Sequence, residues 1–274
     1  NGVIIVSTKK GSKGTKVSYS MYYGTQLPGN GPKDLLDAQG YADLQWLVNK
    51  NDNAPIYILD KDGNPTTDKV IHPVYGWIGN ATPTLPNWAG NTNWFKAITH
   101  NAPIMNHDLS LSGGNENAKF FAGVGVFSQD GIVIYTDSKK YTARFNSEFT
   151  FLKDRIKVGE NFTMAYRTNH GAGNLDESSP IQQALYRSQP IIPVIMTVAV
   201  PGGLSHAFVP GEYGGPGIAA QLGQAENDVA TLTRNKDNNN WNIHLLGSAF
   251  IDVKLLQCLN FKFTIRGTFE KGDY

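Results

Sequence analysis

The 274 residues carry a formal net charge of +1 and only 17% charged residues, so no global attraction to nucleic acid or to an anionic membrane surface is built in. The single cysteine, Cys258, excludes an intramolecular disulfide and a cysteine-rich zinc site. No apolar run approaches the ~20 residues of a spanning helix, which leaves a β-barrel as the one way for this chain to cross a membrane.

The elements follow in chain order. Residues 3–8 form a short apolar strand closed by the basic, glycine-rich "KKGSKGTK", and the strand "KVSYSMYYGTQ" spans 16–26. A long excursion then runs over about 28–101 and holds one amphipathic helix, "PKDLLDAQGYADLQWLVNK", with Pro32 near its start and a stripe of Leu35, Leu36, Tyr41, Leu44 and Leu47. Six further strands come in pairs joined by short turns: 103–112 with 118–129, 139–151 with 155–168, and 239–255 with 260–270. A second long stretch, rich in Gly and Pro, covers about 169–238.

The strands alternate sharply. In "NFKFTIRGTFE", Phe261, Phe263, Ile265 and Phe269 oppose Lys262, Arg266 and Glu270; in "KKYTARFNSEFTF", Phe145 and Phe149 oppose Lys140, Arg144 and Glu148. Period-two alternation puts these sets on opposite faces. A barrel in lipid greases the first set and wets the second, whereas a soluble sandwich has to bury one of them. Strands of about ten residues, short turns at one end and long loops at the other fit a transmembrane barrel. Glu160 breaks the pattern, because the register that sends Ile156, Val158 and Phe162 outward sends it outward too; it is expected near the headgroup edge, at a bulge, or paired.

Motifs for chemistry are sparse. The histidines, at 72, 100, 107, 170, 206 and 244, lack H-x-x-x-H and H-E-x-x-H spacing and read as loop or lumen residues. "DKDGNP" (60–65) lacks the later Gly and Glu of a calcium loop, and "GVGV" (123–126) lies inside a strand rather than before a helix. Asp176 and Glu177 read as solvated loop carboxylates, and no catalytic residue, metal site or cofactor site is assigned. Tyr75, Trp77, Trp88, Trp94 and Phe95 either pack the first loop or stack on sugar rings.

"NGVIIVSTKKG" resembles the last plug strand of TonB-dependent outer-membrane transporters. "NTNWFKAITHNAPIMNHDLSLSGGNENAKFFAGVGVFSQDGIV", with Ser112-Gly113-Gly114 and Gln129-Asp130-Gly131, resembles the early barrel of the SusC/RagA-like branch, as does the hairpin 139–168. The resemblance implies a barrel of about 22 strands plugged by its own N-terminal domain, of which this chain supplies about seven. It implies residues 1–11 as the end of the plug and 12–274 as the N-terminal part of the barrel. Starting at Asn1 without an initiator Met, the chain is expected to be an internal piece of a longer one, lacking the TonB box and nearly all of the plug.

The function so implied is active import of an oligosaccharide or peptide across the bacterial outer membrane. The partners are the TonB complex, outer-membrane lipid and a SusD-like surface lipoprotein, with no nucleic acid and no enzymatic step. Lys140, Arg144, Glu148, Lys262 and Arg266 are then expected in the lumen. Tyr75, Trp77, Trp88, Tyr186 and Tyr213 are expected on loops that meet partner or substrate. A soluble all-β glycan-binding module is the alternative, and the plug-like start disfavours a passive porin.

Overall fold

A computed structural model describes residues 14–51, 85–172, 178–203, 205–219, 222–256 and 258–273. The expected plug strand therefore lies outside the described residues, as do His72, Tyr75, Trp77, Asp176, Glu177 and the 60–65 segment. Seven strands, β1 (Lys16–Gln26), β2 (Ala102–Gly114), β3 (Ala118–Asp130), β4 (Asp137–Phe151), β5 (Ile156–His170), β6 (Asn240–Leu256) and β7 (Leu259–Asp273), form one antiparallel sheet. Its spatial order is the chain order, so each strand pairs with its neighbours in sequence. The sheet is open, and β1 and β7 are its edges among the described residues; the barrel is not closed within this chain.

Short turns join the strands at one end. Between β2 and β3 the Asn115 side chain accepts hydrogen bonds from the Asn117 and Ala118 amides, at 2.8 Å each. Between β4 and β5 the turn is tight enough to hold Leu152, Lys153 and Asp154 all at positive φ (53, 54 and 67°). The connections at the other end are long, except that β3 reaches β4 through residues 131–136. There Gly131 is required by space: a Cβ would stand 1.9 Å from Thr136 Oγ1.

Among the described residues the two long connections hold four α-helices, α1 (Ala38–Asn51), α2 (Trp94–Ile98), α3 (Pro180–Tyr186) and α4 (Asp228–Arg234). The first starts six residues later than Pro32 suggests. Asp37 caps it, its side chain accepting from Gly40 N at 2.8 Å, and Leu35 and Leu36 stay outside the helix and exposed. Its packed stripe is Ala38, Tyr41 and Ala42, not the leucines: Leu44 and Leu47 face out. Small residues let the helix lie close against its neighbours, which outweighs the leucine pattern in placing it.

The buried core lies in these loops, not against the sheet. Trp88, Trp94, Ile98, Val133, Ala184, Ile191, Ile192, Met196, Phe208, Ile218, Leu222 and Leu232 form one apolar cluster with Ala38 and Ala42. Among the described residues no helix is long and apolar enough to cross a membrane, which says nothing about strands.

Candidate functional site

Register sorts every sheet residue onto one of two faces, because directly paired residues share a side. The row Leu111, Ala122, Phe145, Phe162, Gly247 lies on one face, at mid-strand in β4 and β5, with Val17 on β1 beside Leu111. Towards the short turns the same face carries Phe149, Phe151, Val158, Ile156, Ile251, Val253, Phe263 and Phe261. Towards the long loops it carries Tyr141 stacked on Tyr166 (6.3 Å), which in turn meets Trp241 (6.2 Å). Charge returns to this face beyond or beside that aromatic belt, at Lys139, Lys271 and Asp273.

From Tyr166 to Ile156 is about ten residues, ~34 Å along the strand and ~25 Å in height at the tilt of an outer-membrane barrel. Seven strands of that length give an apolar face of about 1,000 Å², well beyond the few hundred Å² usual on soluble monomers. No second sheet covers it among the described residues, and its large side chains are open, Phe145 at 44% and Ile265 at 61%.

Two polar groups interrupt this face, each with a partner. Glu160 sits one pair below Phe162 on this face, inside the apolar band and with no bulge there. It pairs with Ser147 directly across, whose buried hydroxyl donates to Glu160 Oε1. His107, expected in a loop or in the lumen, lies on this apolar face instead; Tyr19 on β1 bonds its ring Nδ1 at 2.8 Å, which satisfies the polar atom. Neither pairing is visible without the register.

The opposite face carries Lys140, Arg144, Glu148, Lys262 and Arg266 together, on the side away from Phe145 and Phe263. Lys262 Nζ rests 5.0 Å from the Phe250 ring centroid. Between β2 and β5 this face holds a polar hollow of about 360 Å³ containing Lys140, Arg144 and Arg167.

The loop end supplies a third surface. A cleft of about 520 Å³ lies between the 34–41 segment, residues 91–94 and residues 184–190. Trp94 Nε1 donates to the Gln189 carbonyl (2.9 Å), and the buried Gln189 Oε1 has no hydrogen-bond partner among the described residues. Burial pushes the Tyr41 hydroxyl above its ordinary pKa, partly offset by a hydrogen bond with Gln45. Trp88, at 8% exposure, packs into the loop core and is not a surface aromatic, whereas Tyr186 (75%) and Tyr213 (39%) are open.

The short helices that carry this surface escaped the sequence reading. Their signals are caps: Ser179 before Pro180, accepting from Gln182 N, and Asn227, accepting from Ala230 N. No group of three or more His, Cys, Asp or Glu side chains is placed to hold a metal among the described residues.

Comparison with known proteins gives a consistent set of relatives. The chain is 27% identical over 190 residues to the TonB-dependent receptor P26 of Formosa agariphila, covering 66% of this chain and 17% of that protein. It is 30% identical over 176 residues to the TonB-dependent receptor P3 of the same organism (62% and 14%). With the TonB-dependent receptor SusC of Bacteroides thetaiotaomicron it shares 27% over 166 residues (59% and 13%). Among solved structures it matches the RagAB peptide transporter with a TM-score of 0.58, at 18% identity, over 97% of this chain and 30% of that one. The closed-closed state of the RagAB peptide importer gives 0.57 over 96% and 29%. No family model matches. The chain spans under a fifth of the length of the curated relatives it matches.

Proposed function

From the premise that this chain is SusC-like, a barrel segment of the TonB-dependent receptor kind, we propose that it forms part of an outer-membrane importer that takes up an oligosaccharide or peptide in an energised step. The observation that carries the reading is the sheet itself: an apolar face of membrane height, bordered by aromatics at the long-loop end and backed by a charged face. A soluble glycan-binding sandwich would need that apolar face covered, and no described element covers it.

On this reading the turns at 113–117, 152–154 and 255–259 face the periplasm, and 28–101 and 169–238 lie outside the cell. Lys140, Arg144, Glu148, Lys262 and Arg266 line the lumen, where the plug sits. Residues 1–11 end that plug, and TonB pulls on a segment preceding it. A SusD-like surface lipoprotein rests on the loop platform, with Tyr186 and Tyr213 as its aromatic contacts. No bond-making step is assigned, and the relatives are named receptors and transporters.

Deletion of the gene in its host, followed by growth on single oligosaccharides or peptides as sole nutrient, tests this directly. Loss of growth on one class, restored by the intact gene but not in a strain lacking TonB, is the expected result. Normal growth of the deletion strain on every nutrient that the parent uses would overturn the reading. Affinity purification of the full-length receptor in mild detergent should bring along a second, surface-anchored protein.

A further inference from the structure

The polar hollow on the charged face has an unusual composition. Lys140 on β4 stands directly opposite Arg167 on β5, and Arg144 reaches into the same space. Like charges directly opposite each other on one sheet face oppose pairing of the strands unless something of the other sign joins them. None of the three cations has an ion pair or hydrogen bond to another described residue. The one carboxylate in the hollow, Asp108, is already engaged by the Asn106 amide. The hollow therefore carries three positive charges against one negative.

Its floor is backbone. Gly125 lies between Asp108 and Thr142, and a Cβ there would stand 2.6 Å from Asp108 Oδ1 and 2.7 Å from Thr142 Oγ1. The missing side chain leaves this floor clear, and the hollow of about 360 Å³ has room for a carboxylate or sulfate with part of the molecule that bears it. The neighbours of Lys140 and Arg167 in sequence, Tyr141 and Tyr166, form the aromatic belt of the opposite face at the long-loop end. Lys140 and Arg167 thus stand at the height of the mouth, where an incoming molecule arrives first, and Arg144 lies deeper along β4, at mid-strand. A cleft of one sign focuses its field and raises the local concentration of ions of the other.

We infer that Lys140, Arg144 and Arg167 form a binding site for an oxyanion, a carboxylate or sulfate, carried by the imported molecule. Arginine forks match such groups with two parallel hydrogen bonds, and the lysine adds a point charge. The inference rests on the import reading and narrows its substrate to an anionic one.

The test uses the full-length receptor in detergent and three anionic probes: an oligogalacturonate, a sulfated oligosaccharide and hexaglutamate. Maltohexaose and a Gly-Ser hexapeptide serve as neutral counterparts. At least one anionic probe should bind more tightly than its neutral counterpart, with affinity falling as salt rises. Arg144→Gln and Arg167→Gln should each weaken it about tenfold, and Lys140→Arg should keep it. The carboxylate and sulfate arms identify which oxyanion is read. Unchanged heat-modifiable gel mobility establishes that each variant assembles.

Equal affinity for anionic and neutral probes overturns the inference, as does anionic binding that both glutamine variants leave intact. It is also overturned if the variants expose the plug to protease while wild type binds no anion, because the cations then hold an acidic group of the receptor itself. Uptake of a neutral nutrient without anion binding leaves the import reading standing and removes only this site.

Discussion

Asp228 is a carboxyl group shut inside the loop core, 1% exposed, at the first position of α4. Its pKa is pushed up from 3.8 to about 7: burial is the main cause, the Ser188 hydroxyl, donating at 2.7 Å, works the other way, and nearby Glu226 adds repulsion. Because the folded pKa lies above the unfolded one, the folded loops hold this proton more tightly than the unfolded chain does. Their stability is therefore full below about pH 4, falls as pH rises to about 7 and is flat above. About three units at ~1.4 kcal/mol each set an upper bound of ~4 kcal/mol. Roughly two of those units are crossed between pH 5 and pH 8, which corresponds to a ~100-fold loss of protection against local opening.

Asp228→Asn keeps an oxygen for Ser188 and removes the charge. Hydrogen exchange of peptides spanning 180–234 in the full-length receptor, corrected for intrinsic rates, is the assay. Protection of the wild type should fall by that factor between the two pH values while the variant stays level and exceeds wild type at pH 8. A variant with the same slope as wild type would refute the assignment of the titrating group.

Other outcomes follow from the same geometry. Phe145→Arg, at mid-strand on the apolar face, should cost ~2–4 kcal/mol and impair assembly, whereas Phe261→Arg at its lower rim should cost ~0–1 kcal/mol; equal heat-modifiable gel mobility for both would contradict the placement of the membrane. Ser147→Ala should leave Glu160 without its donor and destabilise the barrel by ~1–3 kcal/mol, read as a lower unfolding temperature, while Ser147→Thr should keep most of it. Trp94→Ala should loosen the loop core by ~3–5 kcal/mol, seen as protease cleavage within 180–200 with the barrel still resistant.

The sheet was legible because one apolar and one polar face impose a binary choice at each residue. Strand ends fall within three residues of their expected positions, since Phe or Tyr alternating with Lys, Arg or Thr has no other stable arrangement of this length. Faces followed from period two alone; partners did not. Ser147 across from Glu160 and Tyr19 beside His107 depend on the register between strands, which no single strand encodes. The loops were the least legible part. The apolar stripe drawn over Leu35–Leu47 misjudged α1, because Asp37 sets its start and Ala38 and Ala42 its packing. In α3 and α4 the helices are seven residues each, too short for a periodic signal, and their cap residues alone betray them.

The loop core changes how association at this end of the molecule should behave. A floppy loop that folds around a visitor spends conformational freedom at the moment of contact, of the order of 1–2 kcal/mol per residue fixed. Here the residues around Trp94, Ile191 and Met196 are already fixed by their own packing. Whatever associates at this end meets a surface whose shape precedes it, so a modest contact area suffices for useful affinity. Modest contact also separates quickly, so such a seat can bind and release repeatedly without having to be rebuilt each time.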